Sequence, residues 1–433
     1  MMKNFNPNLL HPKTQLTQVI GKIYRDGMTT TSGGNISIMD ENGDMWVTPS
    51  AIDKGKLTED DIICVKKDGT IVGKHKPSSE YPFHKAIYDA RPEIKAVIHA
   101  HPPALVSFSI VREVPNTNII PQAKKVCGKI GYAEYELPGS EALGAVIAKQ
   151  FIGSDYMAVI MENHGTVLGG TDMLDAYTRF ETLEFCCQTI INAKGIGNPT
   201  YLTDEQIKAY EAQMPEVKDC NTNVVNTTIE KALRSEIVEF VHRACRQNLM
   251  ISSFGTISMR AEGNDFLITP TGTARWDLKT EDIVQIKDGK PEEGKTPSRS
   301  TKLHQMIYEQ NPNVNTIIIT QSPYLMAYGT TGVKFDVRTI PESWIFLQDV
   351  PYLPIETQFQ GNTTIPEMIC DTVPAVLVAN NSFLVTGASM MQAFDRLEVA
   401  EFSAKSLVIG APLGKMVPIN DEQVEDLRKK FLS

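Results

Sequence analysis

AVIMENHGTVLGG, residues Ala158–Gly170, returns further along the chain as AVLVANNSFLVTG, residues Ala375–Gly387. The apolar runs on both sides of the central turn are kept, while Glu-Asn-His in the turn becomes Ala-Asn-Asn. Other echoes lie around this pair in the same order. SGGNIS (Ser32–Ser37) matches SFGTIS (Ser253–Ser258), and VTPSA, ending at Ala51, matches ITPTG, ending at Gly272. KLTEDDI matches LKTEDIV, and KPSSEYPFHKAIY (Lys76–Tyr88) matches TPSRSTKLHQMIY (Thr296–Tyr308). LTDEQI near Asp204 matches INDEQV near Asp421. The offset stays at about 217 to 222 residues. A period that long is a duplicated domain rather than a solenoid repeat. The length of 433 residues agrees with two domains, each large enough to bury its own core.

The stretch Asp219–Thr228, rich in Asn and Thr, reads as the linker, with the boundary between residues 215 and 229. The expected domains are 1–215 and 229–433. Each opens with a helix, Thr17–Arg25 in the first and Ala232–Arg246 in the second. Strands are expected at Ile36–Met39, Asp44–Thr48, Ala96–Ile98 and Ala158–Met161. Helices are expected at Glu80–Asp89 and Met173–Ala193, where apolar residues recur every three to four positions. Strands mixed with flanking helices predict an α/β layered domain.

Composition excludes several classes. With 42 basic and 52 acidic residues the net charge is -10, which disfavours nucleic acid or an anionic membrane as partner. No run of 18 apolar residues occurs, so no transmembrane helix is expected. The opening stretch Met1–Gln15 lacks the apolar core of a secretory signal. The seven cysteines are odd in number and form no CxxC pair, so reduced thiols in a cytoplasmic protein are expected.

The chemistry concentrates in the first half. His99 and His101 are alternate residues at the end of a strand, so their side chains share a face. His164 follows the apolar run Ala158–Met161 and stands at another strand end. Three imidazoles so placed suit a tetrahedral zinc with one open position. An HxH pair by itself also fits a plain strand cap. The second half has Ile319, Gln321 and Asn381 at the matching positions. Joint loss of all three histidines, with the flanking strands kept, points to one shared role that the second copy has given up. Glu80 begins the helix Glu80–Asp89, where it serves either as an N-terminal helix acid or as a general acid/base. Ser300 replaces it in the second copy. The polar turns Ser32–Asn35, Thr48–Ala51 and Ser78–Ser79 expose groups that suit a phosphate, or serve only as turns. No P-loop or GxGxxG fingerprint points to a nucleotide.

SGGNIS, VTPSA, KPSSE, the HxH pair and Asn163–Gly165, taken together and in this order, resemble the class II aldolase/adducin family from about residue 15 to 210. The second half resembles a degenerate copy. The resemblance implies an α/β/α layered domain around a mainly antiparallel central sheet. It implies one divalent metal ion per chain, usually zinc, on His99, His101 and His164, with Glu80 as the acid/base. Gly34, Asn35, Ser50, the backbone of Ala51, Ser78 and Ser79 match positions that bind the substrate phosphate and nearby oxygens. Glycine is usual where Ala51 stands. The implied reaction is cleavage of a small phosphorylated ketose through a metal-stabilised enediolate. Decarboxylation, dehydration or 4-epimerisation of a sugar or sugar-acid phosphate uses the same intermediate. Aldolase members also carry a tyrosine in the segment aligned with Asn116–Gln122, where this chain has Ile120; Tyr132, Tyr135 and Tyr210 are the candidate replacements. Family enzymes form cyclic tetramers, so a homodimer making a ring of four domains is expected. An adducin-like scaffold without catalysis, or a cupin-type metalloenzyme, are the competing readings. The intact Glu80–His99–His101–His164 set speaks against the first, and long helices against the second.

Overall fold

The computed structural model describes residues 9–213, 219–222 and 227–432. Residues 215–218 and 223–226 of the expected boundary region lie outside them. The contacts divide the chain into two compact units, Met1–Thr117 with Ala123–Gln188, and Asn118–Gln122 with Thr189–Ser433.

The first unit holds eight strands: β1 (Asn35–Met39), β2 (Met45–Val47), β3 (Ile63–Val65), β4 (Ile71–Val72), β5 (Ala96–Ala100), β6 (Gly131–Ala133), β7 (Ala158–Met161) and β8 (Gly165–Gly170). They form one sheet in the order β4-β3-β2-β1-β5-β8-β7-β6. Every neighbouring pair is antiparallel except β6 with β7 at one edge. The second unit holds β9 (Thr256–Arg260), β10 (Phe266–Ile268), β11 (Val284–Lys287), β12 (Lys290–Pro291), β13 (Thr316–Thr320), β14 (Tyr352–Leu353), β15 (Ala375–Val378) and β16 (Ser382–Gly387). Their order, β12-β11-β10-β9-β13-β16-β15-β14, repeats the first sheet strand for strand. The mainly antiparallel α/β architecture expected from the resemblance is what both units show.

Local sequence explains the elements that carry the site. β5, Ala96–Ala100, is buried along its whole length, so it lies at the centre of the sheet with helices on both faces. Val97 packs with Phe83, Ile87, Leu143, Ile147 and Phe151, which come from the helices Tyr81–Ala90 and Glu141–Phe151. His99 is two residues on and faces the same layer. The Phe83 ring meets the His99 ring edge-on, with centroids 5.5 Å apart. The helix Tyr81–Ala90 starts one residue later than the sequence predicts: Pro82 sits in its first turn and Glu80 is its N-cap. Glu80 makes no side-chain capping bond there. Its carboxylate is directed elsewhere.

Candidate metal centre

The register of the central strands assembles the site. Asn35 at the start of β1 lies beside His99 of β5, and His99 in turn lies beside Val167 of β8. His101 follows β5 directly. His164 sits in the β7–β8 turn, which Asn163 makes possible with a left-handed φ of 53°. Gly165 closes the turn against β5; a Cβ there would come within 2.9 Å of the Ala100 carbonyl oxygen. One nitrogen from each of His99, His101 and His164 lies within 4.8 Å of the other two. The ring centroids are 4.7 to 5.3 Å apart.

The polarity of the cluster decides what it can hold. His99 Nδ1–H donates to the Thr166 carbonyl oxygen at 2.8 Å, so the other nitrogen, Nε2, presents a lone pair. That Nε2 lies 3.3 Å from Glu80 Oε2, and His164 Nε2 lies 3.2 Å from Glu80 Oε1. His99 Nε2, His101 Nε2 and Glu80 Oε1 are buried without a hydrogen-bond partner. Lone pairs facing lone pairs in a buried space repel unless a cation stands between them. Burial, reinforced by the charges of His99 and His164, pushes His101 down to about 4, so its imidazole is neutral at neutral pH. Burial acts to raise the Glu80 pKa, but hydrogen bonds and charge from His164 and His99 outweigh it, and the carboxyl stays well below its ordinary range. Three imidazoles beside a carboxylate form a donor set that can hold a divalent metal.

Of the other expected site residues, Gly34 and Ser78 border this centre, and Ser50, Ala51 and Ser79 lie on the loops that pack beside Ser78. Gly34 adopts φ 69°, and a Cβ there would lie 2.9 Å from the His99 carbonyl oxygen. Ser78 Oγ accepts from the Glu80 backbone N–H at 3.3 Å. The Ser78 N–H donates to the Thr48 carbonyl oxygen, and the Ser50 N–H to that of Lys76. The loops of Ser50 and Ser78 are thereby clasped side by side. Ser79 is exposed beside them. Ala51 takes φ 58°, which explains why glycine suits this position. The Asn35 side chain links Glu80 to a buried histidine. Asn35 Nδ2 donates to Glu80 Oε2 at 2.8 Å, and Asn35 Oδ1 meets His84 Nε2 at 2.5 Å.

Sequence reasoning missed His84. It is fully buried, and burial, with a contribution from His99, pushes it down to about 3. Its Nδ1 meets Ser37 Oγ at 2.7 Å, and Ser37 Oγ meets Tyr88 Oη at 2.7 Å. The signal was present in the repeat, because Ser258, His304 and Tyr308 keep all three positions. In the second unit Ile319, Gln321, Asn381 and Ser300 stand where the first has His99, His101, His164 and Glu80. Asn380 repeats the left-handed turn of Asn163 with φ 49°. Asn381 donates to Gln358 and accepts from Gln122, so it is satisfied without an ion. Of the tyrosine positions, Ile120 is fully buried, Tyr132 donates to Glu162 and Tyr210 is bonded to Gln122. Tyr135 is exposed.

The model of the class II aldolase and adducin N-terminal domain matches residues 14–191 and again residues 235–408. A 3-oxo-tetronate 4-phosphate decarboxylase of Haemophilus influenzae is 30% identical over 47% of this chain and 97% of its own length. An L-fuculose phosphate aldolase of Methanocaldococcus jannaschii is 36% identical over 40% of this chain and 91% of its own. A 5-deoxy-D-ribulose 1-phosphate aldolase of Bacillus thuringiensis is 31% identical over 43% and 87%. Among solved structures, an L-fuculose 1-phosphate aldolase is 31% identical, covers 48% of this chain and 97% of its own, and has a TM-score of 0.42. With its domain model matched twice over most of the length, and with the same sheet built twice, the chain belongs to the class II aldolase and adducin family.

Proposed function

We propose that the first unit is a metal-dependent aldolase that cleaves a small phosphorylated ketose, and that the second is a copy without the reaction. The observation that carries this reading is the convergence of His99 Nε2, His101 Nε2 and Glu80 Oε1, each buried without a hydrogen-bond partner among the described residues, at a three-histidine group that could hold a metal ion. His99, His101 and His164 hold the metal, and zinc fits their chemistry. The bound ion supplies Lewis-acid stabilisation for negative charge developing on the substrate oxygens. Glu80 is the acid/base that moves the proton to and from carbon. The backbone and hydroxyl donors of Gly34, Ser50, Ala51, Ser78 and Ser79, with Asn35, take the phosphate and neighbouring oxygens.

The reading includes a homodimer in which two chains give a ring of four domains. Exposed apolar side chains at Ile110, Val111, Tyr135 and Leu137 of the first unit are suited to burial against a partner. A monomer of 48.0 kDa in light scattering would remove this part of the proposal. The chain's free thiols suit the reducing cytoplasm.

The test has two steps. Metal is measured per chain in the wild type and in His101→Ala, with one ion expected in the first and none in the second. The loaded protein is then incubated with L-fuculose 1-phosphate, 5-deoxy-D-ribulose 1-phosphate and a 3-oxo-tetronate 4-phosphate. Release of an aldehyde together with dihydroxyacetone phosphate from either ketose phosphate supports the aldolase reading. Release of carbon dioxide and dihydroxyacetone phosphate from the 3-oxo-tetronate 4-phosphate, with no aldehyde from the ketose phosphates, replaces it with decarboxylation, which one of the relatives carries out by name. No metal after reconstitution would leave the scaffold reading in its place.

A further inference from the structure

We propose that His84 is a positioning residue that fixes the Glu80 carboxylate through Asn35. The inference rests on the reading of Glu80 as the acid/base.

The direction of each hydrogen bond follows from the one next to it. Asn35 Nδ2 lies 2.8 Å from Glu80 Oε2, so the amide group that faces the carboxylate is the NH2. The amide oxygen of Asn35 therefore faces His84, which must donate to it from Nε2–H. His84 is neutral and carries one ring proton, so its Nδ1 accepts from the Ser37 hydroxyl. With its proton committed, Ser37 Oγ accepts from the Tyr88 hydroxyl. The result is a single directed chain from Tyr88 to Glu80, anchored in the buried face of the helix Tyr81–Ala90. It fixes the imidazole tautomer, and the tautomer fixes which way the Asn35 amide is turned.

The second unit separates what the chain does for folding from what it does for the site. Ser258, His304 and Tyr308 repeat the buried triad, with 2.7 Å and 2.6 Å between the bonded atoms. The extension is absent. Thr256 replaces Asn35 and pairs with Ser298 at 2.7 Å, and His304 Nε2 is buried without a partner. The copy that lacks the acid also lacks the amide that would hold it. The Ser–His–Tyr triad thus belongs to the fold, and the Asn35 link from His84 to Glu80 belongs to the centre.

The test uses the full-length zinc-loaded protein and two readouts. The first needs no activity. Nitrogen-15 NMR of histidine-labelled protein, assigned with His84→Phe, is expected to show the Nε2–H form of His84; the Nδ1–H form overturns the proposal. The second is solvent deuterium exchange into dihydroxyacetone phosphate. His84→Phe is expected to lower its kcat about 10- to 100-fold, with KM and zinc content unchanged, because small misplacement of a catalytic group costs about this much. His84→Gln, which keeps a donor for Asn35, is expected to recover part of the rate. His304→Phe is expected to lower the melting temperature as much as His84→Phe does and to leave kcat unaltered. A His84→Phe rate within twofold of wild type, or an equal loss in His304→Phe, refutes the positioning role. Wild-type protein that catalyses no exchange defeats the reading of Glu80 instead, and the tautomer still decides the hydrogen-bond chain.

Discussion

Stripping the metal should loosen one half of the chain and leave the other as it was. Three nitrogens already lie within 4.8 Å of one another, and a tetrahedral zinc needs them about 3.4 Å apart. Little rearrangement is required, so most of the binding energy appears as added stability of the folded unit. At free zinc about 100-fold above Kd, linkage gives about 2.7 kcal/mol. For a unit the size of Met1–Thr117 with Ala123–Gln188, each kcal/mol moves Tm by about 2–4 °C, so the shift is about 5–11 °C. Calorimetry with and without chelator reads the shift. Hydrogen exchange assigns it, because protection should fall in β5 and hold in β13, which carries Ile319 and is followed by Gln321 in place of His99 and His101. His101→Ala should behave like chelated wild type and gain nothing from zinc. Equal loss of protection in β13, or a zinc-induced shift that survives His101→Ala, would refute the assignment of the site.

Glu80→Gln is expected to lower kcat for exchange into dihydroxyacetone phosphate by about 10²–10⁴-fold while metal content stays at one per chain, as metal analysis beside the kinetics would show. Ala51→Gly should stabilise by about 0–1.5 kcal/mol in urea unfolding: relief of a left-handed φ of 58° contributes about 1–2 kcal/mol, and glycine's added chain entropy takes back about 0.5–1 kcal/mol. Tyr88→Phe and Tyr308→Phe should each cost about 1 kcal/mol in the same assay, since each removes one buried hydrogen bond to serine. Burial pushes Lys54 down to about 8 from its ordinary 10.5. Between those values the unfolded chain holds a proton that the folded chain has released. This group's contribution to stability therefore rises with pH from about 8 to about 10.5, and Lys54→Met should flatten that slope in urea midpoints measured across the window.

Much of the fold was legible in the sequence because duplication supplied a second reading of the segments that echo one another. Ala158–Met161 and Ala375–Val378 are both buried strands, and the turn after each takes a left-handed asparagine. The three histidines were legible for a related reason: alternation placed His99 and His101 on one face, and their joint replacement tied His164 to them. What sequence could not show was the side-chain order beneath the centre. Asn35 and His84 are 49 positions apart, and only the pairing of β1 with β5 and the packing of the helix Tyr81–Ala90 bring them together. Local periodicity carries no trace of such a link. Strand order was equally out of reach, because it depends on which edges meet and not on any one segment.

The two copies also answer a question that a single domain leaves open, namely whether the polar centre helps the domain fold. The second unit has given up its acid and all three histidines, and its eight strands keep the same order. It has kept Ser258, His304 and Tyr308, whose only link to the former centre, through His304 Nε2, now ends without a partner. A group that survives the loss of the chemistry belongs to the fold. A group that disappears with it was a burden on the fold, because buried lone pairs that face one another cost stability until a cation neutralises them. On that argument, replacing Glu80, His99, His101 and His164 together by Ser, Ile, Gln and Asn, the residues of the second unit, should leave the metal-free first unit at least as stable as metal-free wild type. Urea unfolding in chelator would measure it. A loss of more than about 1 kcal/mol, the scale of one hydrogen bond, would show that the centre supports the fold on its own account.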